Sequence, residues 1–148
     1  MQSQANASNN LGCIAAERGN AAEAWERYQE ALNIFTALQH PRNIADVLND
    51  MGQLLIDAGA YDAAKDALIQ SAKIAERIGN VELTAYNYSA LGRLSVTQGD
   101  FTSARDWFTR TLSMWEEQGD TENAAITRRT LEVVTAVING GIIEEESP

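Results

Sequence analysis

The sequence predicts an all-α fold: three antiparallel helix pairs stacked in an array and closed by one further helix. Three observations carry this reading. Leu11-Gly12 returns 40 residues on as Met51-Gly52 and again as Leu91-Gly92. Gly19, Gly59 and Gly99 keep the same step, as do Ala24, Ala64 and Ala104. Between these marks the apolar residues recur at helical spacing, and no strand-like alternation competes. A fixed period of this length marks stacked repeats, each unable to bury its apolar face alone.

The elements follow in order. The first helix is rich in Asn and Ser and begins almost at Met1. The second opens at Asn20, which forms a capping box with Glu23 three residues on. Gln39-His40-Pro41 then separates the first pair from the second, and Pro41 suits a first helical turn, where a missing N–H costs nothing. In the third helix, about Arg42 to Ala58, Ile44, Val47, Leu48, Met51, Leu54 and Leu55 form one apolar stripe. Gly59 interrupts, and Tyr61, Ala64, Leu68, Ala72 and Ala75 restart the pattern through Ile78. Gly79-Asn80, Gly99-Asp100 and Gly119-Asp120 punctuate the rest, glycine supplying the positive φ at each helix end and Asp100 capping the next helix. Asn123 to Asn139 makes the closing helix, with Leu131 in the Leu position and Ala125 in step with Ala5, Ala45 and Ala85. The expected division is one repeat domain over 1–141, with repeats at about 4–40, 41–80 and 81–120, a closing helix at about 122–139, and an acidic tail over 142–148.

Gly12, Gly52 and Gly92 fall in mid-helix, where glycine costs roughly 1 kcal/mol against alanine. A close approach of the paired helix is the expected compensation, with Ala24, Ala64 and Ala104 on the facing side. Tyr28, Tyr61, Phe101 and Phe108 occupy repeat positions assigned to the core.

The residues at these positions resemble the tetratricopeptide repeat. Its pattern is W-x2-L-G-x2-Y followed by A-x3-F. The chain offers Ser8-x2-Leu11-Gly12-x2-Ala15, Leu48-x2-Met51-Gly52-x2-Leu55 and Tyr88-x2-Leu91-Gly92-x2-Ser95. The second half appears as Ala24-x3-Tyr28, Ala64-x3-Leu68 and Ala104-x3-Phe108. The period is longer than the usual 34 residues and is similar to long-helix variants in large bacterial signalling and transcription-activating proteins. The resemblance implies a helical solenoid that serves as a protein–protein interaction scaffold. It implies a concave groove lined by the first helix of each pair, facing Asn6, Asn9, Cys13, Ala16 and Glu17, then Asp46, Asn49, Gln53, Ile56 and Asp57, then Tyr86, Ser89, Arg93, Val96 and Thr97, with Arg129 on the closing helix. Asn and Gln there suit hydrogen bonding to an extended peptide, and Ile56, Tyr86 and Val96 suit an apolar shelf. The lysines of a carboxylate clamp are missing, and Asp46, Asp50 and Asp57 stand on that surface instead. The expected partner is a protein or peptide of basic or mixed charge.

Composition sets the exclusions. The net charge is −10, so a nucleic-acid backbone would bind against the overall field. There is no apolar run long enough for a membrane span and no signal peptide, which reads as a cytoplasmic protein. Cys13 is the lone cysteine and His40 the lone histidine. No nucleophile–base constellation, zinc spacing or calcium loop is present, so neither catalysis nor a metal nor any other cofactor is expected.

The closing helix carries two apolar stripes: Leu131, Val134 and Ile138 form one, and Ile126, Val133 and Val137 the other. The second stripe reads as a contact for the tail Gly140-Gly141-Ile142-Ile143, for a second copy in a homodimer, or for a further repeat. The alternative function is therefore self-association, or a sensory repeat segment excised from a larger bacterial regulator, with contact through this helix.

Overall fold

The computed structural model describes residues 1–140. The acidic tail and the fold-back of Ile142 and Ile143 lie outside the described residues. Seven helices and no strand are found among those described: α1 (Gln2–Glu17), α2 (Ala21–Ala37), α3 (Pro41–Asp57), α4 (Tyr61–Arg77), α5 (Val81–Thr97), α6 (Phe101–Gln118) and α7 (Thr121–Ile138). They fall into two compact units, Met1–Thr84 and Ala85 onward. No helix among the described residues is long and apolar enough to cross a membrane.

One turn is used throughout. Helices α1 to α6 each end in a Schellman-type reversal, in which the residue after the left-handed position bonds back five residues. Asn20 N–H meets the Ala15 carbonyl at 2.8 Å, Ala60 meets Leu55 at 2.9 Å, and Asp100 meets Ser95 at 2.8 Å. The junctions between pairs are the same, with His40 to Phe35 at 3.1 Å, Asn80 to Ala75 at 2.9 Å and Asp120 to Trp115 at 3.0 Å. Glycine takes the left-handed position in every one of these turns but the second, where Gln39 holds it at φ 56°. A side chain there costs about 1–2 kcal/mol. Gln39→Gly is therefore expected to raise the unfolding free energy by about 0.5–1 kcal/mol, less than the full strain because glycine also loosens the unfolded chain. Chemical denaturation checks this, and an unchanged or lowered midpoint would show that the strain relieved at Gln39 does not exceed the entropy glycine adds to the unfolded chain.

The starts of α2, α5, α6 and α7 carry side-chain caps, whereas α1 and α4 begin at Met1 and Ala60 without one. Asn20 accepts from Glu23 N–H at 3.2 Å and its amide donates to the Glu23 carboxylate at 3.1 Å. Asp100 accepts from Ser103 N–H, Asn80 from Leu83 N–H and Asp120 from Asn123 N–H. His40 precedes α3 without a side-chain cap, and Pro41 takes its first position.

In the first unit the glycines let the helices close. A methyl placed on Gly12 would lie 2.7 Å from the Tyr28 ring, and one on Gly52 would lie 2.7 Å from Leu68. Ala24 and Ala64 are fully buried on the facing helices. Ala5, Ala15, Tyr28, Ala31, Phe35, Val47, Leu48 and Met51 form the main core, and Ala45, Ala75 and Leu83 a second cluster. The Ser71 hydroxyl donates to the Ala45 carbonyl at 2.6 Å, fixing α4 against α3. In the second unit the pattern returns. A methyl on Gly92 would meet the Phe108 ring at 2.8 Å. Ala104, Phe108 and Val134 cluster with Leu131 and Ile138, and Ala85 packs with Trp115 and Ala124. Tyr61 and Phe101 are half-buried rather than central.

At two positions the shared register does not carry shared burial. Ala125 is exposed, and Ala124 is the buried residue of that turn. Ala45 is enclosed by residues that follow it, Ala75 and Leu83, as Ala85 is by Trp115 and Ala124. Among the described residues nothing follows α7 to enclose Ala125. Leu11 is likewise exposed, whereas Met51 and Leu91 at the same register are buried.

Candidate functional site

The first unit presents the richer polar surface, on α1 and α3. Tyr28 is the one hydroxyl among the three residues that face the mid-helix glycines, Tyr28, Leu68 and Phe108, and a buried tyrosine seeks a partner. Its hydroxyl donates to Cys13 Sγ at 3.6 Å, and the Cys13 thiol donates to Asp50 Oδ2 at 3.7 Å. The Asn9 side chain also hydrogen-bonds Asp50. This chain of groups ties α1, α2 and α3 together. Beside it lies an open cleft of about 250 Å³ lined by Cys13, Ala16, Glu17, Tyr28, Asp50, Gln53, Leu54 and Asp57.

Electrostatics there are unbalanced. Burial, then the neighbouring Asp46, raises the Asp50 carboxyl to about 6, while hydrogen bonds from Cys13 and Asn9 pull it down. No cation is among the groups that set this value. Burial also raises Asp46, with Arg42 opposing at 3.9 Å. Burial pushes the Cys13 thiol up against the Tyr28 hydrogen bond, and burial followed by Cys13 raises the Tyr28 hydroxyl far above its usual range. Asn9 Oδ1 is buried with no hydrogen-bond partner. An acceptor of that kind costs free energy until a donor reaches it.

The expected residues of this unit divide. Asn6, Gln53 and Asp57 are exposed, and Asn9 and Asp46 are half-buried. Asn49 is 7% exposed and its side-chain Oδ1 accepts from Gln53 Nε2 at 2.7 Å, so it is withdrawn from the surface. Ile56 is buried and offers no apolar shelf. Among the described residues no group of His, Cys, Asp or Glu is placed to hold a metal ion.

The second unit is different in character. Tyr86 is 45% exposed and packs edge-on against Trp115 at 5.2 Å between ring centroids. Arg93 is exposed, Ser89 is half-buried, and Val96 packs against the core near Phe108 instead of forming a shelf. On α7, Ile126, Arg129 and Val133 are exposed and Val137 is half-buried, while the other stripe turns inward. A separate cleft between α6 and α7 is lined by Arg105, Thr109, Arg128, Leu131, Glu132 and neighbouring residues.

What sequence reasoning missed is the cluster around Asp50. Helical spacing placed Cys13 and Asp50 on the surface, but not the depth at which Tyr28 meets them. The lone hydroxyl at position 28 of the repeat pattern was the available signal.

Comparison with known proteins supports one architecture. Residues 43–117 match the tetratricopeptide repeat family. Among curated proteins none matches. Of solved structures, the N-terminal domain of stress-induced protein-1 (STI-1) from C. elegans aligns at TM-score 0.65 and 18% identity, covering 86% of this chain and 96% of that one. BtubC (BKLC) from P. vanneervenii aligns at TM-score 0.68 and 16% identity, covering 97% of this chain and 68% of that one. A Rap protein complexed with Competence and Sporulation Factor aligns at TM-score 0.74 and 15% identity over 91% of this chain, which spans 43% of the Rap protein. At these identities the likeness is one of fold, an all-α helical-repeat solenoid.

Proposed function

Because the chain belongs to the tetratricopeptide repeat family, generally a non-catalytic scaffold for protein–protein interaction, we propose that it binds a peptide or partner segment along the faces of its odd-numbered helices. The first unit takes a basic stretch there. One observation carries this reading: Asp50 lines an open cleft together with Glu17 and Asp57, and no cation is among the groups that raise or lower its own carboxyl. A lysine or arginine of the partner would donate to Asp50, satisfy the orphaned Asn9 Oδ1, and draw further attraction from Asp46, Asp57 and Glu17. Charge-assisted bonds of this kind are roughly twice as strong as neutral ones. Asn6 and Gln53 add donors and acceptors for the partner's backbone. The setting is cytoplasmic in this reading.

Calorimetric titration with a synthetic Lys/Arg-rich peptide tests it. Asp46→Asn combined with Asp57→Asn is expected to weaken binding at least tenfold, equivalent to about 1.4 kcal/mol. Affinity is also expected to rise as pH passes upward through about 6, where Asp50 ionises. Equal affinity for the double variant, or for a Glu-rich control peptide, would remove the proposal.

A further inference from the structure

The second unit exposes a surface of different chemistry. Among the described residues its exposed large hydrophobic side chains are Tyr86, Ile126 and Val133, at 45%, 55% and 46% exposure. They share a register. Stepping 40 residues along the sequence takes Tyr86 to Ile126, Ser89 to Arg129, Arg93 to Val133 and Thr97 to Val137. The outer stripe of α7 thus falls on the same repeat positions that hold recognition residues in the proposed function. At three of those four steps α7 places an aliphatic residue, and it leaves Ile126 and Val133 uncovered.

We infer that this stripe, with Tyr86 of α5, docks an amphipathic segment of another protein that carries apolar side chains flanked by carboxylates. Ile126, Arg129, Val133 and Val137 stand three or four residues apart and so line one side of α7. Within that line the charged residue is Arg129, which forms no ion pair among the described residues. Its neighbour Arg128 is already bound to Glu116 at 2.9 Å. Glu122 precedes the line by one turn, at the helix start. An apolar face interrupted by an unpaired guanidinium fits a partner helix whose leucines or isoleucines cover Ile126 and Val133 while a glutamate or aspartate reaches Arg129. A second copy of this chain fits less well. Each copy carries a net charge of −10, and a two-fold contact centred on the stripe would bring both Arg129 side chains together.

This inference extends the proposal that the odd-numbered helices carry recognition, and its test reads the second unit separately. The probe is a synthetic helical peptide with leucines along one face and glutamates beside them, titrated into the full chain by calorimetry. Ile126→Ser with Val133→Ser is expected to weaken it at least tenfold, with the circular dichroism unchanged because both residues are exposed. Arg129→Glu is expected to weaken it as well, and to recover affinity for the same peptide with lysines in place of glutamates. Asp46→Asn with Asp57→Asn is expected to leave it unchanged, so that failure of the first-unit proposal is seen apart from this one. The inference is overturned if the peptide does not bind, if the charge reversal does not exchange the preference, or if light scattering shows a dimer that Val133→Ser dissociates.

Discussion

Leu68→Ala is expected to lower the unfolding free energy by about 2–5 kcal/mol, the cost of a cavity at a fully buried leucine. Its informative partner is Gly52→Ala. The new methyl would lie 2.7 Å from Leu68 Cγ and Cδ2, an overlap that costs about 1–3 kcal/mol. Improved helix propensity returns roughly 1 kcal/mol, so the single change remains destabilising. In the Leu68→Ala background the clash is gone and the methyl enters emptied space. There Gly52→Ala is expected to be neutral or stabilising, a coupling that denaturant unfolding of all four proteins measures directly. Additive effects would mean that the glycine does not serve close packing of α3 on α4.

Asp50→Asn is expected to stabilise the chain at neutral pH by about 1–3 kcal/mol. The carboxyl sits at about 6 in the folded protein against an ordinary value of 3.8. Between those pH values Asp50 binds more protons in the folded chain than in the unfolded one, so its contribution to stability is most favourable below about 4 and declines as pH rises toward about 6. The difference corresponds to at most about 3 kcal/mol. Burial raises Asp46 and acts in the same direction, whereas Asp120, held low by the Asn123 N–H, acts in the opposite one. Comparing wild type with the variant isolates Asp50. The stability difference between the two should grow from pH 4 to pH 6 and then level. A difference independent of pH would show that Asp50 titrates as an ordinary surface carboxylate.

These two sites also mark how far the sequence can be read. The role of Gly52 was legible because the repeat presents a mid-helix glycine three times, and the side chains that meet these glycines, beyond the expected Ala24, Ala64 and Ala104, are Tyr28, Leu68 and Phe108. Gln39 was legible as the one departure in a series of glycine turns, and the positive φ at that residue supplies the physical reason. Burial that comes from a distant element was not legible. Ala125 shares the sequence register of Ala45, yet Ala45 is covered by Ala75 and Leu83, which no periodicity within α3 reveals. Asn49 and Ile56 failed as surface residues for the same reason: helical spacing gives a side of the helix, and packing decides its depth. The polar surface of the first unit was read in outline through Asn6, Asn9, Asp46, Gln53 and Asp57. Its centre was not, because the Tyr28–Cys13–Asp50 chain joins three helices at sequence separations of 15 and 37.

The repeat sorts residues into two sets. Those that recur unchanged pack helices, and those that vary at the same register are proposed to meet a partner. The most direct measurement is the titration with the Lys/Arg-rich peptide followed residue by residue through backbone amide shifts. The account predicts that the largest changes fall at Asn6, Asn9, Cys13, Asp46, Asp50, Gln53 and Asp57, with little change at Gly12, Ala24, Gly52 and Ala64. Shifts spread over the outer faces of α2 and α4, with α1 and α3 silent, would contradict it.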